Sequence, residues 1–216
     1  MSFAIKAGKI KMREYFMEFI GALFLVLAIE LTGNPLAIGI MLMAMVYIGG
    51  HVSGAHYNPA VTLAVWMRGK IKANKILGYM AAQVIGAFAA ACIFYFLSGK
   101  AFLPSPSKGV PILHSILAEA LFTFVLCSVI LAVATSRKLE GNRIYGLAIG
   151  LTLAACAYAG GGISGGVYNP AVALGPMILK SFLGVQNWSN IAIYLTGPLA
   201  GAIFAALVFR YLNPND

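Results

Sequence analysis

The tripeptide Asn-Pro-Ala occurs twice in this sequence, and its residue types point to hydrogen bonding and electrostatics rather than to catalysis. The two copies are Asn58, Pro59, Ala60 and Asn169, Pro170, Ala171. Proline is suited to the first turn of a helix, where its missing N–H would have no intrahelical partner, and asparagine just before it is a good N-cap. Each tripeptide therefore predicts the start of a helix whose capping amide can also donate to a passing molecule.

The residues around the two tripeptides also match, so the chain contains an internal repeat. Residues 51–63 (HVSGAHYNPAVTL) align with residues 162–174 (GISGGVYNPAVAL), and Glu18 in MEFIGALF matches Glu119 in AEALFTF. A single Asn-Pro-Ala is usually an ordinary helix cap. Two copies with matching flanks favour two half-helices that share one function.

The composition places these helices in a lipid bilayer. Of the 216 residues 61% are hydrophobic and 10% are charged, and the mean hydropathy is +0.88, which is more apolar surface than a soluble domain can bury. Six apolar stretches are predicted to be helices, because a lone strand cannot satisfy its backbone in lipid. They are Tyr15–Leu31, Leu36–Gly50, Ile76–Leu97, Ile112–Ala134, Ile144–Ala159 and Ile191–Leu212. The second and fifth are short, and each leads to a half-length apolar piece, Pro59–Met67 or Pro170–Leu179.

The predicted fold is an all-α membrane protein with six transmembrane helices and two re-entrant half-helices in an inverted repeat. Within one domain, 1–216, the first repeat spans 11–98 and the second spans 112–212. Each repeat has three crossings, an odd number, so the second must lie inverted relative to the first. The two half-helices would then meet near the midplane. Their N-termini, each with about half a positive charge, would oppose protons and metal cations there but not neutral solutes.

The net charge of +9 arises from basic residues that collect on one side of the predicted membrane. Twelve of the 15 Lys and Arg residues, beginning with Lys6, Lys9 and Lys11, precede the first span, lie in the second-to-third or fourth-to-fifth connections, or end the sixth span. Only Lys100, Lys108 and Lys180 fall on the other side. This positive-inside pattern predicts that both termini are cytoplasmic, and it argues against a nucleic-acid partner.

The residues before each capping asparagine are predicted to be extended backbone, at 54–57 and 165–168. Free carbonyls are tolerated at membrane depth only where they line a water-filled cavity. The predicted ladder of pore carbonyls is formed by Gly54, Ala55, His56, Gly165, Gly166 and Val167.

Taken together, these motifs show that the sequence resembles the aquaporins, or major intrinsic proteins, over essentially its whole length. Besides the paired tripeptides, residues 50–62 are similar to the family's first pore loop, Ala82-Gln83 to its third helix, and Gly197-Pro198 with Gly201 to its sixth. The resemblance implies a homotetramer with one pore per protomer. It implies no cofactor.

The resemblance also identifies a selectivity constriction, and this chain departs from the family there. The family pattern places the four constriction residues at Ile38, Ala157, Gly166 and Val172, where most aquaporins carry an arginine at the last position. Val172 is similar to the residue of some plant tonoplast intrinsic proteins. Without an aromatic, a histidine or a cation, the ring should be wide and apolar, and should discriminate less against solutes larger than water.

Two acidic residues within the predicted spans allow two interpretations. Glu18 and Glu119 could couple transport to protons, because an acid inside a membrane is costly and usually functional. Their symmetric placement favours a structural role, in which each accepts backbone N–H bonds from one pore loop. His51 and His56 could similarly be pH sensors or metal ligands, but are predicted to serve as loop residues, with His56 contributing a carbonyl.

The predicted function is therefore a passive channel for water and small neutral solutes, with ammonia, urea, hydrogen peroxide and glycerol as candidates. Ala173 stands where glycerol facilitators typically carry Asp, which counts against a dedicated glycerol channel. Two alternatives are a channel mainly for a solute other than water, and a coupled secondary transporter, which also uses inverted repeats. The sequence offers neither a nucleophile with a base nor a cluster with metal-ligand spacing, so it does not predict an enzyme. Short loops favour a prokaryotic plasma membrane.

Overall fold

The computed structural model describes residues 2–185 and 188–216, with side chains from residue 12 onward. Within these ranges the chain forms eight α-helices and one short 3-10 helix, Arg137–Leu139. The side chains of Lys6, Lys9 and Lys11, on which the charge pattern draws, lie outside this description. The α-helices are α1 (Ser2–Thr32), α2 (Pro35–Gly49), α3 (Pro59–Met67), α4 (Ala73–Ser98), α5 (Ile112–Thr135), α6 (Tyr145–Ser164), α7 (Pro170–Phe182) and α8 (Ile191–Leu212).

The predicted fold class is confirmed, with six crossings and two half-helices. Five helices are long and apolar enough to cross a membrane, namely α1 from Met12 onward, α4, α5, α6 and α8. The sixth crossing, α2, has 15 residues, which span only about 22 Å at 1.5 Å per residue. Hydrogen-bonded turns continue it, because the N–H groups of Ser53 and Gly54 donate to the carbonyls of Gly49 and Gly50.

The prediction that the fifth span is short was wrong. Helix α6 has 20 residues and continues through Gly160, Gly161 and Gly162 to Ser164. Three consecutive glycines weaken a helix in water, but in lipid an unpaired backbone group has no alternative partner, so the helix persists. Helix α7 is likewise longer than its predicted end at Leu179.

The two halves pack in matching ways. Helix α4 lies against α1, and α8 lies against α5. Each contact includes a glycine that faces the backbone of the other helix. Gly86 of α4 faces the carbonyl of Phe19, Gly201 of α8 faces the carbonyl of Ala120, and neither site has room for a side chain. Between the halves, α2 crosses α6 where Gly39 contacts the backbone of α6. These close approaches fix the bundle around the half-helices.

The half-helices interlock the two halves. Helix α3 packs mainly against α8, and α7 packs mainly against α4, so each half-helix rests on the last crossing of the other half. The N-terminal ends of α3 and α7 are thereby brought together in the interior.

One surface of the bundle carries most of the described basic residues, and we call it the basic face. Lys75 forms an ion pair with Glu14 at 2.6 Å between Nζ and Oε2. Lys70, Lys75 and Arg137 line a common cavity at this face. The 99–111 connection and the C-terminal end of α7 lie at the opposite face.

Candidate functional site

The two capping asparagines lie at the centre of the protein and face each other's loop. The Oδ1 atom of Asn58 accepts the N–H of Ala60 at 2.8 Å, while its Nδ2 donates to the carbonyl of Tyr168 at 2.8 Å. Asn169 repeats the arrangement, with Oδ1 accepting from Ala171 at 3.0 Å and Nδ2 donating to Tyr57 at 3.0 Å. An amide NH2 group has two hydrogens, so each asparagine keeps one donor beyond the cross-loop bond.

The loops that precede the asparagines are not extended, so that prediction was wrong. Gly54, Ala55 and Tyr57 have φ angles of 91°, 54° and 52°, and in the second loop Gly165, Gly166 and Tyr168 have 94°, 67° and 50°. The left-handed region is strained for residues with a side chain. Two loops with the same strained positions need strong partners to hold them.

The carboxylates of Glu18 and Glu119 supply those partners. Glu18 Oε1 accepts the Ser53 hydroxyl at 2.6 Å and the His56 N–H at 3.0 Å, and Oε2 accepts the Tyr57 N–H at 2.6 Å. Gln83 Nε2 also donates to Oε2, at 2.7 Å. Successive N–H groups in such a turn form a concave anion site, which the carboxylate fills.

The second carboxylate makes the corresponding contacts in its own loop. Glu119 accepts the Ser164 hydroxyl at 2.6 Å, the Val167 N–H at 3.0 Å and the Tyr168 N–H at 2.6 Å. Both acids are completely buried. Neither Glu18 nor Glu119 belongs to the lining of the two cavities described below, which favours the structural interpretation of the two acids.

Tyrosine hydroxyls tie each loop to the helix before it. Tyr57 donates to the carbonyl of Met45 at 2.9 Å, and Tyr168 donates to the carbonyl of Cys156 at 3.0 Å. A Cβ at Gly49 or Gly160 would collide with the corresponding hydroxyl. Glycine at these two positions therefore makes room for the tie.

Two cavities approach the asparagines from opposite faces. One, of about 420 Å³, is lined by Asn58 and Asn169 and extends toward the opposite face. The other, of about 940 Å³, opens at the basic face. Both are lined by Ala55, His56, Ile130 and Ile149, so they adjoin there. We call the two together the pore.

The wall of the pore combines polar backbone with apolar side chains. All six residues of the predicted carbonyl ladder line one or both cavities. None of their carbonyl oxygens accepts a hydrogen bond from the described residues, so these oxygens are available to a solute. The remaining wall is mostly aliphatic and includes Leu25, Leu42, Val61, Leu126 and Leu153.

The four predicted constriction residues all line the cavity toward the opposite face. Ile38 and Val172 are buried, at 8% and 2% exposure. At these four positions the cavity lining consists of aliphatic side chains and the glycine Gly166, without a charged group.

Two aromatic residues of this cavity, Phe102 and Tyr158, were missed by sequence reasoning. Phe102 belongs to the connection between α4 and α5, which crosses the second pore loop. There the Ser107 N–H donates to the Ile163 carbonyl at 3.1 Å, and the Ser105 carbonyl leaves no room for a side chain at Gly165. Neither the spacing nor the hydropathy of this connection signals that path.

Comparison with known proteins agrees with the paired loops and the central pore. The model of the family described as major intrinsic protein matches residues 6–209, nearly the entire chain. This chain belongs to the major intrinsic protein family. Members of this family are membrane channels for water and small solutes, and this one is accordingly an integral, multi-pass membrane protein.

Individual relatives are similar over most of the chain. The probable aquaporin AqpM of Archaeoglobus fulgidus is 35% identical over 82% of this chain and 74% of its own length. The glycerol uptake facilitator protein-like 6 of Lactiplantibacillus plantarum is 35% identical over 95% of this chain and 100% of its own. The aquaglyceroporin of Plasmodium falciparum has the same fold, with a TM-score of 0.81 at 23% identity, covering 92% of this chain and 95% of that one.

Proposed function

We propose that this chain is a passive channel for water and for small neutral solutes somewhat larger than water, and that it excludes ions and protons. The observation that carries the proposal is the paired asparagines, each with one donor left for the pore, between two adjoining cavities. A solute that passes them meets donors at the asparagines and free carbonyl acceptors before and after them.

Exclusion of charge follows from the two half-helices. Helices α3 and α7 both begin at the pore, and each N-terminus carries a partial positive charge of about one half. No acidic side chain lines the cavity that contains both asparagines, so within the described residues this positive potential has no local counter-charge. A cation there would lose hydration without compensation.

Breadth of selectivity follows from the apolar constriction. An arginine at position 172 would supply donors and narrow the ring, and Val172 does neither. Urea and ammonia are therefore proposed as solutes beside water, with hydrogen peroxide and glycerol as further candidates. The relatives named as an aquaporin and as a glycerol uptake facilitator-like protein are compatible with this breadth.

The setting of the channel is part of the same proposal. We propose a homotetramer with one pore per protomer, as the family resemblance implies. The basic face would be cytoplasmic, because Lys and Arg are retained on that side during insertion. The membrane would be the plasma membrane. The boundaries of the two repeats, 11–98 and 112–212, also stay predictions.

The test is the substitution Val172→Arg, measured by swelling of proteoliposomes in stopped-flow experiments. A long cation in the ring should lower urea and ammonia flux on the order of tenfold and water flux much less. Val172→Met is the matched control, because it adds length without charge or donors.

Two results would contradict the proposal. One is an equal loss of water and urea flux in Val172→Arg, which would mean that the ring does not select by size or donors. The other is urea flux that depends on a proton or sodium gradient, which would indicate a coupled transporter.

A further inference from the structure

A recess of about 360 Å³ lies between α5 and α8, close to the basic face. Ser128, Ala132 and Lys138 line it from the α5 side, and Val208, Phe209 and Leu212 line it from α8. Between Ser128 and the end of α5 at Thr135 the helix rises about 10 Å. The recess is thus a groove that runs from the bilayer interior to the membrane surface.

The walls of this groove are apolar and partly exposed. Leu212 is 65% exposed and Leu139, at the outer end of the groove, is 44% exposed. In a membrane-spanning chain such surfaces contact hydrocarbon. An acyl chain is therefore the chemically matched occupant of the apolar part.

The outer end of the groove is positively charged. Lys138 lines it and has no ion pair within the described residues. Arg210, directly after the groove residue Phe209 on α8, is exposed, whereas Arg137 lines the basic-face cavity. The nearby carboxylate of Asp216 is already engaged, because its Oδ1 accepts the Arg137 N–H at 2.8 Å and lies 3.4 Å from Arg68 Nη2.

Glu140 is the other acidic residue near this end, and it faces elsewhere. Its side chain belongs to the lining of the basic-face cavity and not to that of the groove. The charge offered to an occupant of the groove is therefore positive.

We propose that this groove binds one anionic phospholipid, with an acyl chain between α5 and α8 and the phosphate group at Lys138. Basic residues at the membrane surface attract anionic lipids at roughly 1 kcal/mol each, which corresponds to about fivefold in affinity. The site is separate from the solute path, so it does not depend on which solute the channel passes.

The experiment uses the full chain purified in detergent with an equal mixture of phosphatidylglycerol and phosphatidylcholine, and counts retained lipids by native mass spectrometry. The unmodified chain should retain phosphatidylglycerol in preference to phosphatidylcholine. Lys138→Gln should weaken that preference about fivefold. Lys100→Gln, which removes the same charge at the opposite face, should leave it unchanged.

Two further variants identify the occupant of the apolar part. Ala132→Trp fills the groove and should reduce retention of both lipids. Ser128→Ala removes a buried hydroxyl that has no hydrogen-bond partner in the described residues, and should change nothing, because an acyl chain offers no acceptor.

Four results would overturn the proposal. Three of them are equal retention of the two lipids by the unmodified chain, a Lys138→Gln variant with unchanged lipid preference, and a change in oligomeric mass in Ala132→Trp, which would mean that the groove contacts a second copy of this chain. Loss of lipid in Ser128→Ala would show a polar occupant and would equally count against an acyl chain.

Discussion

The first and second pore loops have almost the same backbone, but different contacts hold each of them. In both, a buried glutamate accepts two successive backbone N–H groups and a serine hydroxyl, and an asparagine donates across to the other loop. Tyr79 and Tyr194 also correspond, since each donates to the carbonyl of the loop serine, at 2.8 and 2.7 Å.

The loops differ in what surrounds this shared frame. In the first loop Gln83 Nε2 donates to both Glu18 and Thr62, and His56 Nδ1 lies 3.2 Å from Thr62 Oγ1. In the second loop the positions of His56 and Thr62 are taken by Val167 and Ala173, which pack in an apolar cluster with Val172.

This difference shows which contacts the loop conformation needs. The glutamate, serine, tyrosine and asparagine contacts occur twice and suffice for the backbone. The additional polar network occurs once, so it reinforces the first loop, whereas apolar packing positions the second loop and the constriction residue Val172 beside it.

The largest expected effect comes from neutralising the two glutamates. Glu18→Gln should lower the free energy of unfolding by about 3 kcal/mol or more, because four donors then lose a buried carboxylate. Glu119→Gln should cost about 1 kcal/mol less, since it has three donors. Chemical denaturation in detergent micelles measures both, and a larger loss for Glu119→Gln would contradict the ranking.

The asparagines should behave alike, in contrast to the glutamates. Asn58→Ala and Asn169→Ala each remove a helix cap, worth about 1 kcal/mol, and a cross-loop hydrogen bond of about 1 kcal/mol. Each should therefore destabilise the chain by about 2 kcal/mol in the same assay. If one variant lost more than twice as much free energy of unfolding as the other, the two cross-loop hydrogen bonds could not be equivalent.

A smaller effect is expected from the network that only the first loop has. Thr62→Val keeps the volume and removes the hydroxyl that Gln83 and His56 contact, so it should cost about 1 kcal/mol. The matched change in the second loop is Ala173→Ser, which introduces a hydroxyl into an apolar cluster and should also destabilise the chain. A stability unchanged by Thr62→Val would show that the network does not reinforce the first loop.

The smallest effect concerns the end of α3, where Arg68 forms an ion pair with Asp216 at 3.4 Å. The end of α7 has no ion pair within the described residues. A hydrogen bond from the Ser136 hydroxyl, one from the Arg137 N–H and the charges of Arg68 and Lys70 hold the pKa of Asp216 below its ordinary value of 3.8. This group therefore stabilises the fold above that value, and the contribution is lost as the pH falls through the lowered pKa.

The measurement compares melting temperatures of the unmodified chain and of Asp216→Asn from neutral to acidic pH. The unmodified chain should melt higher at neutral pH, and the difference should shrink once the pH falls below 3.8. A difference that stayed constant with pH would mean that the carboxylate charge contributes nothing.

Much of the fold could be predicted because its signals are local. Helices α3 and α7 begin at Pro59 and Pro170 as predicted, since an asparagine cap and a proline act within one turn. The end of α6 could not be predicted in this way. The three glycines that indicate a break in water remain helical where lipid removes the competing hydrogen bonds.

The sequence named residues of the candidate site but not its backbone conformation. Asn58, Asn169 and the predicted carbonyl and constriction residues line the cavities, whereas Pro59, Ala60, Pro170 and Ala171 do not, and their roles as pore residues stay predictions. The left-handed conformations of Ala55, Tyr57 and Tyr168 were not foreseen. A strained φ costs free energy by itself and occurs only because a distant glutamate and a distant carbonyl hold it.

The sequence by itself determined that this chain spans a membrane, that it contains two matching halves and that two asparagine-capped half-helices converge. Those conclusions depend on hydropathy, charge and capping, which act over a few neighbouring residues. The tertiary structure alone decided that Asn58 binds the carbonyl of Tyr168, 110 residues away, and that Phe102 reaches the pore. Such contacts depend on how closely distant helices approach, and that distance is set by packing and not by any local pattern.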